Sequence, residues 1–442
     1  MRMHGNRCSV KSAWIWLGTA VVALALPGLA KAELVAPTKS DALLAVAPDG
    51  SPRVTYTSGR NVVVSRRTGS GWRFVRAGRV PDTRPVLAGL VVDRRLRTSV
   101  LVEAEDGSWL ALSSRGGNLR VVARPTRKGD SFGPAGLTLD AAGRPAFAYA
   151  LQRKSGKSWL RLVTTDARGR LHTHGITKGG FPSSQFVPGA APVLVGRRLH
   201  VVETSTDQAI DWGPKSGGGW EGQFLFAARE GTPAGRVAAL ASSAGLWSAW
   251  SEVTGDGPSV LLTLSADTQS TNTAVPDGIF ASLLVDGGNA EVGAYDWATL
   301  GNSFVYAGLL ADSNGPFTEL DGRLDGYART PAGGRQLLLT TPSGLEWFES
   351  PTRPAIRVTA AAEGGTVSGR IDGAVSPSGV VEIYRETGAG RTLAGQAQLA
   401  PDGTFSFRDT PPLSPLAFVY RAVYIDPATT IPYASLVRPP VG

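Results

Sequence analysis

The stretch LLAVAPDGSPRVTY, from Leu43 to Tyr56, returns in altered form as AGLTLDAAGRPAFAY, from Ala135 to Tyr149. Each copy is an apolar run, a turn centred on Gly or Asp, and a second apolar run that ends near an aromatic or acidic residue. The runs are short, are separated by Gly, Asp and Pro, and carry no sustained 3.6-residue period. Each copy therefore predicts two antiparallel strands joined by a tight turn.

The phrase recurs seven times between Asp41 and Ser350, at intervals of 43 to 53 residues between equivalent turn positions, which are Gly50, Arg94, Gly143, Gly196, Gly245, Gly288 and Gly333. A period in the forties with several short strands per period is typical of propeller blades. We therefore predict an all-β chain with a seven-bladed β-propeller over residues 33–350; six or eight blades are the alternatives. The last repeat has room for only three strands, and the segment 33–36 can supply the fourth.

After Ser350 the pattern changes. Two prolines in residues 351–354 predict a linker. Residues 355–442 hold about seven strand-like pieces, whose alternation and turn spacing predict a small β-sandwich. This segment resembles the bacterial Ig-like domains found at the ends of secreted proteins, with Tyr420-Arg421-Ala422 in the position of a late core strand.

The first 32 residues have the pattern of a secretory signal peptide. Basic residues precede an apolar stretch over 13–29, and Ala30-Lys31-Ala32 offers a cleavage site before Glu33. An uncleaved anchor is the alternative, although the apolar run falls short of the ~20 residues of a spanning helix. We expect a secreted, extracellular protein, or one in the periplasm or at the cell surface, with no transmembrane segment after cleavage. Its abundant Arg, Ala and Gly suggest a bacterial source.

Cys8 is the only cysteine, and it lies within the predicted signal. The mature chain would then contain no disulfide, no thiolate metal site and no cysteine nucleophile. We expect no cofactor, with Ca²⁺ as a possibility.

Charge is divided unevenly along the chain. Residues 33–200 carry 27 Lys and Arg against 11 Asp and Glu, a balance of 27 − 11 = +16. Residues 201–442 carry 14 against 25, a balance of 14 − 25 = −11. In a ring of sequential units, this division predicts a disc with a basic and an acidic side, able to orient on an anionic polymer or surface. The alternative is an ordinary solvated surface.

Two turns carry a family resemblance. SRRTGSGW (65–72) and GPKSGGGW (213–220) resemble the Asp-box turn of sialidase-type (BNR) propellers, with Arg67 and Lys215 in place of the aspartate. The resemblance implies a degenerate form of that blade construction, in which the tryptophan packs between strands. The box lies away from the active face in that family, so the resemblance implies no sialidase activity.

A carboxylate precedes the first strand of most repeats, in a loop that would lie at one rim of the central channel. Such a ring of acids could bind a cation or a polyhydroxylated ligand. The alternative is that each acid braces a turn by accepting backbone N–H bonds. The candidate ligand-binding acids are Asp41, Asp82, Asp130, Glu230, Asp277 and Asp321.

Two other motifs suggest sites. His172 and His174 would project from one strand face and could hold a metal with a third ligand, for which His200 and Glu203 are nearby in sequence. Trp247 and Trp250 lie three apart on a predicted strand, so we expect one in the core and one exposed for stacking on a sugar.

Three functions remain open from the sequence. The first is a non-enzymatic binding protein for an extracellular glycan, an anionic cell-surface polymer or a protein. The second is a glycan hydrolase or lyase that uses channel-rim carboxylates. The third is a structural role in a cell-surface assembly. The arginines are not interleaved with stacking aromatics, so we expect no specific nucleic-acid binding.

Overall fold

The computed structural model describes residues 32–69, 71–81, 85–177, 181–182, 188–204, 208–227, 232–255, 257–266, 269–276, 278–296, 302–307, 317–373, 375–376, 379–387, 390–410 and 418–437. The predicted signal peptide lies outside these ranges except for its last residue. Throughout them the secondary structure consists of strands and turns without a helix. Consequently, the described part of the chain offers no helical segment that could cross a membrane.

The strands of the first half follow β1 (Glu33–Ala36) in four antiparallel sheets. The first sheet contains β2 (Ala42–Val46), β3 (Pro52–Ser58), β4 (Asn61–Thr68) and β5 (Gly71–Arg79). The second contains β6 (Pro85–Val92), β7 (Thr98–Ala104), β8 (Leu110–Ser113) and β9 (Arg120–Ala123). The third contains β10 (Ser131–Phe132), β11 (Gly136–Leu139), β12 (Pro145–Gln152), β13 (Lys157–Thr165), β14 (Leu171–Gly175) and β15 (Phe181–Pro182). The fourth contains β16 (Gly189–Val195), β17 (Arg198–Thr204), β18 (Gln208–Pro214) and β19 (Trp220–Ala227).

Three more sheets of the same kind follow. The fifth contains β20 (Thr232–Ser242), β21 (Gly245–Thr254), β22 (Gly257–Ala266) and β23 (Gln269–Pro276). The sixth contains β24 (Gly278–Asp286), β25 (Asn289–Asp296), β26 (Asn302–Ala307) and β27 (Phe317–Asp321). The seventh contains β28 (Arg323–Arg329), β29 (Arg335–Thr341) and β30 (Gly344–Ser350), with β1 paired on the outside of β30.

The first strands of these sheets contact one another in the order β2, β6, β11, β16, β20, β24 and β28, and β28 contacts β2. The fold is therefore all-β and propeller-like. All seven turn positions found from the repeat fall within or beside the turn between the first and second strands of a sheet. The repeat in the sequence thus reports a repeat in the structure.

The N-terminal strand occupies the place that the short last repeat left open. Glu33 lies opposite Trp347 in the pairing of β1 with β30. Arg67 of the first sheet reaches across, with its Nη2 2.6 Å from the Glu33 carboxylate and its guanidinium 4.5 Å from the centre of the Trp347 ring. Trp72 packs edge-on against Trp347, with 6.1 Å between ring centres. Arg67 thus joins the first sheet to the seventh.

The expectation for the two neighbouring tryptophans was wrong. Trp247 and Trp250 are both 2% exposed. They do lie on opposite faces of the fifth sheet, but Trp247 packs with Phe280 of the sixth sheet and Trp250 packs with Val202 of the fourth. Alternation along a strand predicts an exposed face only where one side of the sheet is solvated, and both sides are covered here.

The chain after 350 forms two further antiparallel sheets. One contains β31 (Arg357–Glu363), β32 (Thr366–Asp372) and β35 (Thr404–Arg408). The other contains β33 (Val380–Thr387), β34 (Gly390–Gln398), β36 (Val419–Ile425) and β37 (Pro432–Val437).

These two sheets pack directly on the rest of the molecule. Leu320 of β27 pairs with Tyr433 of β37, so the second of them continues the sixth sheet. A single hydrophobic cluster includes Leu320, Val358 and Tyr433. Within the predicted linker 351–354, the Pro354 carbonyl accepts a hydrogen bond of 3.0 Å from the Thr318 hydroxyl. The C-terminal sheets are thus fixed against the sixth and seventh sheets.

Candidate functional site

Bulges interrupt the first strands of four sheets, around the cavity that these strands bound. The pairing register shifts around Ala88, Arg236, Ala281 and Asp325, in the second, fifth, sixth and seventh sheets. An extra residue in a strand changes the direction of a side chain. Two of these four are charged, although the strands that carry them are otherwise mainly apolar. The first strands bound a cavity of about 270 Å³, and Arg236 is among the residues that line it.

An ion pair connects opposite parts of the ring. Arg236 of the fifth sheet lies with its Nη2 2.5 Å from Oδ1 of Asp41, which directly precedes the first strand of the first sheet. The same nitrogen lies 3.3 Å from the carbonyl oxygen of Ala42. Asp41 also accepts a hydrogen bond of 3.3 Å from the backbone N–H of Leu87. Its side chain is 38% exposed and that of Arg236 is 19% exposed, so solvent still reaches the pair.

The seventh sheet contributes a second pair. Arg323 Nη2 lies 2.7 Å from Oδ1 of Asp325 and 3.0 Å from the Ser40 carbonyl. The Thr340 hydroxyl donates a 2.6 Å hydrogen bond to the other oxygen of Asp325. Burial raises the pKa of Asp325 to about 6, against the opposing influence of the Arg323 charge. This carboxyl therefore titrates closer to neutral pH than an exposed aspartate.

Glu103 of the second sheet completes the group. Its Oε2 accepts a 3.0 Å hydrogen bond from the backbone N–H of Ala135. Burial raises the pKa of Glu103 to about 8; the Ala135 hydrogen bond and the Arg236 charge oppose this, and the Asp41 charge adds to it. At neutral pH Glu103 is consequently a neutral acid that can donate a proton.

Burial also raises the pKa of Tyr295, which lies near the same arginines. We call this group the channel cluster; it consists of Asp41, Glu103, Arg236, Tyr295, Arg323 and Asp325. It combines hydrogen-bond donors and acceptors in an arrangement able to orient a polar ligand.

The channel cluster also has a structural task. Four side chains, in the first, second, fifth and sixth sheets, each accept a hydrogen bond from a backbone N–H of the first strand, or the residue before it, in the next sheet. The acceptor and donor pairs are Asp41 with Leu87, Glu103 with Ala135, Ser251 with Phe280, and Ser303 with Leu324. Asp41 and Glu103 therefore brace the neighbouring sheet, in addition to any contact with a ligand.

Only three of the six predicted acids lie among the described residues, so the ring of acids stays a prediction. Asp82, Glu230 and Asp277 lie outside those residues, and Asp41 belongs to the channel cluster. Asp130 accepts a 3.2 Å hydrogen bond from the backbone N–H of Lys154 at the far end of β12, which is the turn-bracing role given as the alternative.

Asp321 lies where the sixth sheet meets the C-terminal sheets, and not in the channel. Its carboxylate is 2.7 Å from the guanidinium of Arg391 and 3.2 Å from that of Arg421. Arg421 also pairs with Glu386 at 2.8 Å, and its side chain is fully buried. We call these four residues the junction network.

The two predicted histidines lie on the exposed strand β14. His172 Nε2 is 3.2 Å from Asp166, and His174 Nε2 is 3.0 Å from the Thr164 hydroxyl. His200 instead contacts Asp211 at 3.0 Å. In the part of the chain that the structure describes, no three His, Cys, Asp or Glu side chains are grouped so as to hold a metal ion.

The sequence reasoning missed most of the channel cluster. Arg236, Asp325 and Glu103 lie within strands, so a pattern of acids that precede first strands does not include them. A charged residue within an apolar first strand, as in AGRVAAL (234–240), was the available signal. The bulge that accompanies Arg236 is not visible in the repeat spacing.

Comparison with known proteins gives the fold neighbours but no family. No protein-family profile and no curated protein matches the chain. Among solved structures, AofleA from Arthrobotrys oligospora is 12% identical, with a TM-score of 0.40, over 65% of this chain and 90% of its own. A protein of unknown function from Dyadobacter fermentans is 10% identical, with a TM-score of 0.40, over 74% of this chain and 100% of its own. A candidate gluconolactonase is 13% identical, with a TM-score of 0.35, over 64% of this chain and 91% of its own.

Proposed function

We propose that this chain is a secreted, non-enzymatic binding protein, built as a seven-bladed β-propeller with an Ig-like β-sandwich at its C-terminal end. The blade count is supported by seven repeats and by seven sheets whose first strands contact in a ring. Export is supported by the pattern of the first 32 residues.

The proposed ligand is an extracellular glycan bound at the channel cluster. The observation that carries the proposal is the Asp41–Arg236 pair, which joins the first and fifth sheets beside a cavity of about 270 Å³ and remains partly exposed. Sugar hydroxyl groups both donate and accept hydrogen bonds, so a carboxylate and a guanidinium side by side are suitable partners.

The test is an array of neutral and acidic glycans probed with the full chain purified after export. We expect the wild-type protein to bind at least one glycan of the array. The double variant Asp41→Ala with Arg236→Ala should lose at least tenfold in affinity, because one charge-assisted hydrogen bond stabilises a complex by about 1.5–3 kcal/mol. Removing both partners together leaves no unpaired charge in the channel.

The matched control is the exposed pair Arg370 and Asp372, whose side chains are 59% and 53% exposed. The double variant Arg370→Ala with Asp372→Ala should bind as the wild type does. Failure of the wild type to bind any glycan would count against the proposed function, and unchanged binding by the channel double variant would count against the proposed site.

Glycan hydrolysis is a second candidate, and one observation favours it. Glu103, with its pKa raised to about 8, is electrostatically coupled to the Asp41 carboxylate. Glycoside hydrolysis requires two carboxyl groups, one of which is kept neutral so that it can donate a proton. Turnover of a chromogenic glycoside that is lost in Glu103→Gln and in Asp41→Asn would establish this activity in place of simple binding.

A further inference from the structure

Three arginines form a row across the first sheet. Arg53 of β3 lies directly opposite Arg66 of β4, and Arg66 lies directly opposite Arg73 of β5. Directly paired residues of antiparallel strands share a face, with about 5 Å between their Cβ atoms, and like charges there are destabilising. A row of three guanidinium groups is therefore unfavourable unless negative charge lies close to it.

Carboxylates of the protein supply little of that charge. Arg66, Arg73 and Arg115 form no ion pair with another described residue. Arg53 is influenced by Asp49, but desolvation and the Arg66 charge both act to lower its pKa. The negative charge that would offset this row must therefore come from a bound partner.

The row forms one wall of a groove between the first and second sheets. The opposite wall includes Leu96, Arg97 and Arg115, in two turns of the second sheet. The groove has a volume of about 330 Å³. We call it the five-arginine groove; its arginines are Arg53, Arg66, Arg73, Arg97 and Arg115.

The surface between the arginines is apolar. Val64 and Val75 lie opposite each other on the face that carries the arginine row, two residues from Arg66 and Arg73. Val75 is 51% exposed and Leu96 is 41% exposed, although both are apolar. The five-arginine groove thus offers apolar surface between fixed positive charges.

The far wall has features typical of a ligand site. Arg115 and Leu96 both have positive φ angles, 54° and 61°, which are uncommon for residues with side chains. Strained backbone of this kind is concentrated at ligand-binding sites. Nε of Arg115 is also buried without a hydrogen-bond partner among the described residues. Arg97, by contrast, is held in place by Asp93 at 2.7 Å.

We propose that the five-arginine groove binds an anionic polysaccharide. Its carboxylate or sulfate groups would accept forked hydrogen bonds from guanidinium groups, and the C–H faces of its sugars would lie on Val64, Val75 and Leu96. No aromatic ring lines the groove, so the stacking surface that single-stranded nucleic acid uses is absent from the described lining. The inference goes beyond the proposed function, since it assigns a second glycan site, separate from the channel cluster, and the charge class of its ligand.

The test measures binding of the full chain to three polymers: polygalacturonate, which carries carboxylates, dextran sulfate, which carries sulfates, and uncharged dextran. We expect binding to one or both charged polymers, weakened at least tenfold between 50 and 500 mM NaCl, and none to dextran. The double variant Arg66→Gln with Arg73→Gln should weaken that binding at least tenfold.

The control is Arg357→Gln with Arg408→Gln, which removes the same charge from two exposed arginines of the C-terminal sheets. It should change affinity less than threefold. Thermal melting separates ligand binding from a structural role: without ligand, the groove variant should melt at the same temperature as the wild type or higher, because like charges have been removed.

The outcomes distinguish this inference from the proposed function. Binding to neutral glycans only would overturn the anionic class and leave the proposed function intact. Binding to no glycan, charged or neutral, would overturn both. Equal loss in the groove and control variants, or a lower melting temperature of the groove variant, would overturn the groove as the site. Equal binding of a double-stranded DNA of matched charge would overturn the choice of polysaccharide.

Discussion

Arginines of the junction network and arginines of the five-arginine groove have opposite surroundings. At the junction, the fully buried Arg421 contacts both Asp321 and Glu386, and Arg391 shares Asp321. In the groove, Arg66 and Arg73 are exposed, lie side by side, and have no ion pair with a described residue. The same residue type thus faces carboxylates in one region and other arginines in the other.

The difference shows what each region does for the molecule. A buried ion pair is expensive to break, since the remaining partner stays desolvated and unpaired. The junction network therefore holds the C-terminal sheets in a fixed position against the sixth sheet. The exposed like charges of Arg66 and Arg73 do not stabilise the fold, and we infer that they serve association with an anion.

The largest expected effect comes from breaking the junction network. Asp321→Ala removes the carboxylate shared by Arg391 and Arg421, whose side chains are 16% and 0% exposed. We expect the free energy of unfolding, measured with urea, to fall by about 3–5 kcal/mol.

The control for this variant is Asp372→Ala, which removes the acid of an exposed pair with Arg370. Asp372→Ala should lower the free energy of unfolding by less than about 1 kcal/mol. Similar losses in the two variants would mean that the junction network contributes no more than a surface ion pair, and the comparison with the groove would fail.

The repeating part of the fold could be predicted from the sequence. Turn positions, the strand pairs over Leu43–Tyr56 and Ala135–Tyr149, and the use of residues 33–36 as an outer strand followed from spacing and apolar runs, because these depend on local chemistry. The burial of both Trp247 and Trp250 could not be predicted, since a single repeat does not show that both of its faces are covered by neighbours.

Most residues of the channel cluster, the junction network and the arginine row could not be predicted from sequence patterns. Asp41 was found because it precedes a strand, but its partner Arg236 is 195 positions away, and a bulge sets the direction of that side chain. Asp321 also precedes a first strand, yet the C-terminal sheets supply its partners. The arginine row was visible as excess charge in residues 33–200, but only strand register places Arg53, Arg66 and Arg73 side by side.

A smaller effect on stability is expected at Glu103. Its side chain is partly buried, and the Ala135 hydrogen bond and the Arg236 charge only partly offset the cost of desolvating its carboxylate. Its pKa is about 8 in the folded protein, compared with about 4.3 in an unfolded chain. Between these values the folded state holds a proton that the unfolded state has lost. This contribution to stability is full below about pH 4.3 and falls as pH rises through 8.

Glu103→Gln removes that titration. Relative to the wild type, the variant should become more stable as pH rises from 5 to 9, with a slope below about 1.4 kcal/mol per pH unit, because partial exposure reduces the effect. Thermal melts of both proteins across this range provide the measurement. Parallel pH profiles would show that the Glu103 carboxyl titrates as an exposed group does.

The smallest expected effect on the free energy of unfolding is in the five-arginine groove. Whether this free energy rises or falls decides between the two interpretations of the row. Arg66→Gln removes the central charge of the row, so unfolding at 20 mM salt should cost up to about 1 kcal/mol more than in the wild type. At 1 M NaCl the difference should vanish, since the screening length falls to about 3 Å. Arg408→Gln, at an exposed arginine that lies opposite Thr366, should show neither change. A loss of stability in Arg66→Gln at low salt would mean that the row is compensated within the protein, and the contrast with the junction network would no longer hold.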